Sequence, residues 1–443
     1  MAESNETYQT LDLSLRVGEL LLSSGAGAAD VAAQMLNVAY ACGLRRVTAD
    51  VTFTELAMSH QPQYDEPALI QLRQVRHRDI DYGDLTLVDH LIRDVVEGRC
   101  TREEASARLA RIVSSGHQLP RWAVTLGYGL MGAGVGLMLG GDAVVTLVAF
   151  VAAVAIDLTQ RQLTRRRLPS FYQQVAGGML ATLIASAVAA TGVNANPSQV
   201  VTASIILLLS GVNFMGAIQD ALIGYPLTAG ARILEAILAT SGVIAGVSGG
   251  LTLARVLNID FGPLNPGAFS LSDLPLMALG GAISAGAFAF ASYAPLRSLL
   301  PIAATGAVAT ALYGLVLERD LGVAWASATG ALLVGLVSYS VAGRVRVPAL
   351  IIVVSAVVPL LPGLSIFRGL AQLAEGSETG LLSMVNAAAV AIALSSGVFL
   401  GEYIAQPLKR EARRLESRLA GPRMVGPFHT RSARRRRSSS TSQ

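Results

Sequence analysis

AVVTLVAFVAAVAIDL, residues 143–158, carries one charge in sixteen positions and is followed closely by Arg161, Arg165, Arg166 and Arg167. An apolar run near the length of a bilayer crossing, closed by a basic cluster, reads as a membrane helix with its basic end in the cytoplasm. Lipid offers backbone groups no water, and arginine is retained on the inner side. Nine further stretches fit the same reading, near 122–139, 172–191, 198–218, 229–251, 274–293, 299–317, 323–342, 349–370 and 381–404. A mean hydropathy of +0.52 with 14% charged residues agrees with so many spans. The 44 glycines suit helices whose backbones touch, and 5% aromatics argue against an outer-membrane barrel with its aromatic girdles.

Threading ten spans from an inside start gathers Arg121, the 161–167 cluster, Arg297, Arg344, Arg346, Lys409 and Arg410 on one side. Asp142, Asp260, Asp273, Glu318, Asp320, Glu375 and Glu378 fall on the other. Both termini are therefore expected in the cytoplasm of a bacterial inner-membrane protein. Residues 1–120 read as a soluble cytoplasmic α/β domain. Leu11, Leu15, Gly18 and Leu22 share a helical face, a second helix spans 30–40, and 47–58 and 69–80 alternate like strands. Helices over 86–97 and 101–113 follow, the last opened by Thr101 and Glu104 in capping-box spacing. Residues 121–257 and 273–406 form two five-helix halves, and 407–443 a basic, disordered cytoplasmic tail attracted to anionic lipid rather than nucleic acid.

The halves echo one another. Thr240-Ser241-Gly242-Val243 with Gly246 matches Ser395-Ser396-Gly397-Val398 with Gly401, in the fifth span of each half. An odd number of spans per half makes the second copy enter from the opposite side, the inverted repeat of many secondary transporters.

The chemistry-bearing residues are few. No phosphate-cradling Gly-x-x-x-x-Gly-Lys-Ser/Thr loop occurs, and His60, His77, His90, His117 and His429 lie outside the spans without metal-ligand spacing, so neither cofactor nor metal is expected. Pro359-Leu360-Leu361-Pro362-Gly363 sits inside the ninth span, where each proline removes an N–H and breaks the helix. Backbone freed at membrane depth needs a wet or protein-lined cavity, and a zwitterion uses both free carbonyls and a half-helix N-terminus. Asn213 and Gly216 hold the related place in the first half, and Asn386 adds an amide in the tenth span. Asp220 closes the fourth span, and Arg232 with Glu235 opens the fifth. They read either as a static pair at the interface or as the proton-coupling group. Asp157 adjoins arginines and Glu318 and Asp320 lie in an outer loop, which leaves Asp220, then Glu235, to carry a proton.

Three blocks resemble the threonine/serine exporter family. They are residues 16–26, RVGELLLSSGA; Gln219-Asp220 with Gly224, Ala231-Arg232 and Glu235-Ala236; and Pro359 to Gly363 with Arg368-Gly369. The resemblance covers the chain apart from its basic tail. It implies a plasma-membrane exporter of threonine and serine driven by the proton gradient, with ten spans and a cytoplasmic N-terminal domain. The first-half block Val212-Asn213-Phe214-Met215-Gly216 departs from it in lacking a proline-containing counterpart of Pro359 to Gly363. A secondary exporter working by alternating access is thus expected, and not an enzyme. The other readings are an enzyme or ligand sensor anchored by the spans, and a passive amino-acid channel.

Overall fold

The computed structural model describes residues 2–63, 65–75, 80–117, 119–191, 197–205, 208, 211–257, 273–362, 365, 366, 369, 372 and 377–416. The chain opens with α1 (Ala2–Ser23) and α2 (Ala28–Ala41), separated by a turn at Gly25, whose φ of +95° suits glycine. On α1, Leu11, Leu15 and Leu22 are buried at helical spacing, and Gly18 lets the Met35 side chain of α2 come close.

Strands β1 (Val47–Thr52), β2 (Glu55–His60) and β3 (Leu69–Gln74) make an antiparallel sheet in that order. The alternating run 47–58 is a hairpin rather than one strand. It turns at Phe53-Thr54 between the opposed Thr52 and Glu55. Phe53 sits at φ +46°, an uncommon conformation for a bulky residue, and its N–H donates to Thr228 Oγ1 at 3.1 Å. A contact from a distant helix therefore holds a turn that local sequence does not announce.

Helix α3 (Tyr82–Val96) is capped by Asp81, and α4 (Arg102–Ser115) opens with the reciprocal Thr101–Glu104 capping box. The long helices follow: α5 (Arg121–Met138), α6 (Ala143–Arg165), α7 (Ser170–Ala190), α8 (Pro197–Ile205), α9 (Gly211–Ile223), α10 (Pro226–Val256), α11 (Leu274–Ala291), α12 (Leu296–Leu317), α13 (Val323–Val345), α14 (Ala349–Val357) and α15 (Thr379–Glu416).

Each of the ten apolar stretches contains helix among the described residues. Among those residues seven helices, α6, α7, α10, α11, α12, α13 and the 379–405 part of α15, are long and apolar enough to cross a membrane. The fourth stretch holds two helices, α8 and α9. In the ninth, α14 gives way to a 3-10 turn at Val358–Leu360, at the first proline of the pair. Helix α15 continues to Glu416, into the stretch assigned from sequence to the basic tail, while 417–443 lie outside the described residues.

Small residues govern how these helices meet. On α10, a Cβ on Gly242 would lie 2.6 Å from the Phe171 carbonyl oxygen of α7, and one on Gly246 would collide with that of Val175. On α15, a Cβ on Gly397 would lie 2.5 Å from the Ala328 carbonyl oxygen of α13, and one on Gly401 would collide with that of Leu332. Each glycine pair is spaced by four residues and meets carbonyls spaced by four, so the two helix pairs are built by the same close approach. Trp122, at the start of α5, and Trp325, at the start of α13, are 67% and 68% exposed, as befits amphipathic rings at a bilayer surface.

The largest buried cluster does not stop at the N-terminal unit. It joins Leu11, Met35, Leu56 and Tyr82 to Phe288 of α11, Ile302 of α12 and Ile351 of α14. The Tyr82 and Phe288 rings meet edge-on with centroids 6.2 Å apart, and the Tyr82 N–H donates to the Ser292 carbonyl at 2.8 Å.

Candidate functional site

Helix α9 ends at a turn through Gly224 (φ +104°), and α10 starts at Pro226, where a missing N–H costs nothing in the first turn of a helix. This reversal brings Asp220 on α9 against Arg232 on α10. Arg232 Nη1 lies 3.0 Å from Asp220 Oδ2, with the side chains 11% and 2% exposed. Gly216, one turn before Asp220, leaves the room the guanidinium occupies, since a Cβ there would stand 2.8 Å from Arg232 Nη1.

The other carboxylate oxygen of Asp220 reaches outside its own helix pair. The N–H of Ala28, the first residue of α2, donates to Asp220 Oδ1 at 3.1 Å. Gly27, which precedes α2, offers no side-chain cap of its own, so Asp220 satisfies an N-terminal amide of α2 and faces the positive end of its dipole.

Beside this junction is a cavity of about 140 Å³ whose lining includes Asn213, Gly216, Gln219, Arg232, Glu235 and Leu361. Ser23, Gly25, Gly27 and Tyr82 of the N-terminal unit close it. Burial pushes the Tyr82 phenol up, so that side chain is neutral here. A second cavity, of about 40 Å³, lies between α2, α9, α14 and α15, and Asp30, Asp220 and Glu402 line it. Burial first, then the charges of Glu402 and Asp220, push the Asp30 carboxyl well above the usual carboxylate range. Two larger clefts, of about 640 and 800 Å³, lie on the N-terminal unit, and none of the residues nominated from sequence lines them.

Five nominated residues thus meet here: Asn213, Gly216, Asp220, Arg232 and Glu235. Pro359 and Pro362 flank Leu361, which lines the larger cavity, while Gly363 lies outside the described residues. Asn386 is not brought to the site. Its side chain is exposed, because Ala387, Val390, Ala391 and Leu394 form the face that α15 buries. Asp157 pairs with Arg161 at 3.0 Å, one turn along α6, as an interface anchor would. Sequence reasoning passed over Asp30, Tyr82 and Glu402, and quoted Gln219 only within the family block. Only Glu402 left a signal, as an acid inside the last apolar run.

The N-terminal unit is fastened at several further points. Thr228 Oγ1, besides accepting from Phe53, donates to the Val51 carbonyl at 3.3 Å. His117 Nδ1 lies 2.6 Å from Asp81 Oδ2, with its ring stacked on Tyr293 at 4.3 Å. His90 Nε2 approaches the Arg346 carbonyl, to which Arg297 also donates. Asp220, Thr228, Tyr293, Arg346 and Glu402 all fall at helix ends that the ten-span threading assigns to one side.

The family model described as "Putative threonine/serine exporter" matches residues 12–254, and that described as "Threonine/Serine exporter, ThrE" matches 277–404. A Mycobacterium tuberculosis protein named "Probable threonine/serine exporter" is 35% identical over 432 residues, covering 94% of this chain and 80% of that one. The "Threonine/serine exporter" of Corynebacterium glutamicum is 32% identical over 420 residues, covering 93% of this chain and 86% of the other. No solved structure matches the chain. With both stretches matched in order and the relatives aligned nearly end to end, this membrane protein belongs to the threonine/serine exporter family.

Proposed function

We propose that the chain is a secondary exporter of threonine and serine, driven by protons moving inward, which alternates access to a site between two inverted five-helix halves. The observation that carries this reading is the cavity beside α9, α10 and α14, with Arg232 and Glu235 at its wall and Asp220 paired to Arg232 behind it. Arg232 is suited to the substrate carboxylate. Glu235, on the same wall, is suited to the ammonium. Protonation of Asp220 would free Arg232 for substrate and release α2 from its cap, so that one event changes both binding and closure.

The matched glycine contacts of α7 with α10 and of α13 with α15 support the repeat, since they join the third span to the fifth in each half. Trp122 and Trp325, exposed at opposite surfaces in the ten-span threading, fit span ends at the two membrane interfaces.

The test is counterflow of labelled threonine and serine in proteoliposomes, with and without an imposed pH gradient. Exchange that accelerates with the gradient is expected. Equal flux without any gradient dependence would indicate a channel, and no flux at all would return the N-terminal unit to consideration as an enzyme or sensor.

A further inference from the structure

Three carboxyls border the smaller cavity, Asp30 from α2, Asp220 from α9 and Glu402 from α15, and α14 contributes only Leu350 and Val353 to it. Glu235 of α10 stands at the adjoining cavity. Among the described residues lining the two cavities, Arg232 is the one cation, and it lies against Asp220. Two further acids placed together in a narrow cavity do not both ionise cheaply, so the arrangement favours one proton on the Asp30–Glu402 pair. About 40 Å³ is room for a water, which needs roughly 10–15 Å³, to carry a proton between these groups.

We propose that Asp30, supplied by the N-terminal unit, acts with Glu402 as the proton-release pair of the export cycle, standing between Asp220 and the cytoplasm. This rests on the proton-coupled reading above. The proton leaves the Asp220 carboxyl and binds a carboxylate of the Asp30–Glu402 pair. Asp220 regains its charge and re-forms its pair with Arg232. Water on the cytoplasmic side then takes the proton from Asp30. The N-terminal unit is on this view part of the transport site, which lacks its release group without it.

The elevated affinity of Asp30 for a proton fits the role, since burial and its two acidic neighbours both favour the neutral form. Its position in the first turn of α2 adds a second consequence. When Asp220 takes its next proton it no longer faces the dipole of α2 with a full charge, and Asp30, left charged by the preceding release, takes over that task within the same turn.

The test uses the full chain in proteoliposomes, as wild type, Asp30→Asn and Glu402→Gln. Labelled-threonine counterflow without a gradient is measured beside export driven by an imposed pH gradient over a range of internal pH. Asp30→Asn is expected to retain counterflow and lose the gradient's acceleration. Glu402→Gln is expected to keep the acceleration with its half-maximal pH lowered by about one unit, because removing a neighbouring like charge lets Asp30 ionise more readily.

Gradient-driven export with a wild-type pH profile in Asp30→Asn overturns the proposal. If Asp30→Asn shows no counterflow, an unshifted midpoint in Glu402→Gln overturns it instead. Wild-type counterflow without any gradient response would remove the role of Asp30 while leaving the exporter reading in place. Absence of wild-type counterflow would remove both.

Discussion

Neutralising Arg232 should cost more stability than neutralising Asp220, although both changes break one ion pair. In Arg232→Gln the stranded charge is Asp220, 2% exposed on a short side chain. In Asp220→Asn it is Arg232, 11% exposed on a long, adjustable stem. Removing one partner of a buried pair costs about 3–5 kcal/mol, and Arg232→Gln belongs at the upper end, while Asp220→Asn belongs at or below the lower. The double variant strands neither charge and should regain most of the loss. Asparagine also keeps an oxygen for the Ala28 N–H, so Asp220→Ala/Arg232→Gln should fall a further 0.5–2 kcal/mol or so below Asp220→Asn/Arg232→Gln. With the half-buried Cys42 replaced by serine, a heating series with a thiol-reactive fluorophore reads this directly, since the Cys100 thiol is buried and becomes accessible on unfolding. An Arg232→Gln protein that melts with the wild type, or a double variant no better than Arg232→Gln, would refute the closed, buried pair.

Pro362→Ala should restore helix in the ninth span and abolish threonine export while the protein still reaches the membrane; normal export would reduce the motif to an ordinary kink. Gly246→Val and Gly401→Val press side chains on backbone carbonyls and should each destabilise by about 1–3 kcal/mol, whereas Gly230→Ala, with nothing within 4 Å of its Cβ, should leave the melting temperature unchanged. With Cys42 and Cys100 replaced by serine, Arg319→Cys should react with an impermeant thiol reagent from outside the cell and Arg166→Cys should not; labelling at both would break the ten-span threading.

The helices were legible because a bilayer imposes a length and forbids unpaired backbone, and Ala143 to Leu158 states both demands within one segment. Asp220 and Arg232 were legible for a related reason, as charges at the edges of apolar runs on either side of a Gly-Tyr-Pro turn. Asn386 went astray because α15 is apolar around much of its circumference, so sequence alone does not fix which face meets the bundle. Asp30 read as an ordinary acid in the first turn of an N-terminal helix. Its burial comes from α9 and α15, which lie far along the chain, and no local pattern encodes that meeting. The hairpin at Phe53 was hidden in the same way, because the hydroxyl that steadies its turn belongs to Thr228.

The core that joins Tyr82 to Phe288 also sets an order of manufacture. Phe288 follows Tyr82 by 206 residues, so the N-terminal unit leaves the ribosome long before the surface that completes it exists. Until α11 and α14 are inserted, the side of the unit that will carry Tyr82 against Phe288 and Ile351 has nothing to close on, and an apolar side left open is a target for holdase chaperones and proteases. A truncated chain that ends before α11 should therefore be cleared rather than accumulate. Arrival of α11 and α14 becomes the event that lets the first hundred residues finish folding, which gives the cell a built-in check against a half-assembled bundle.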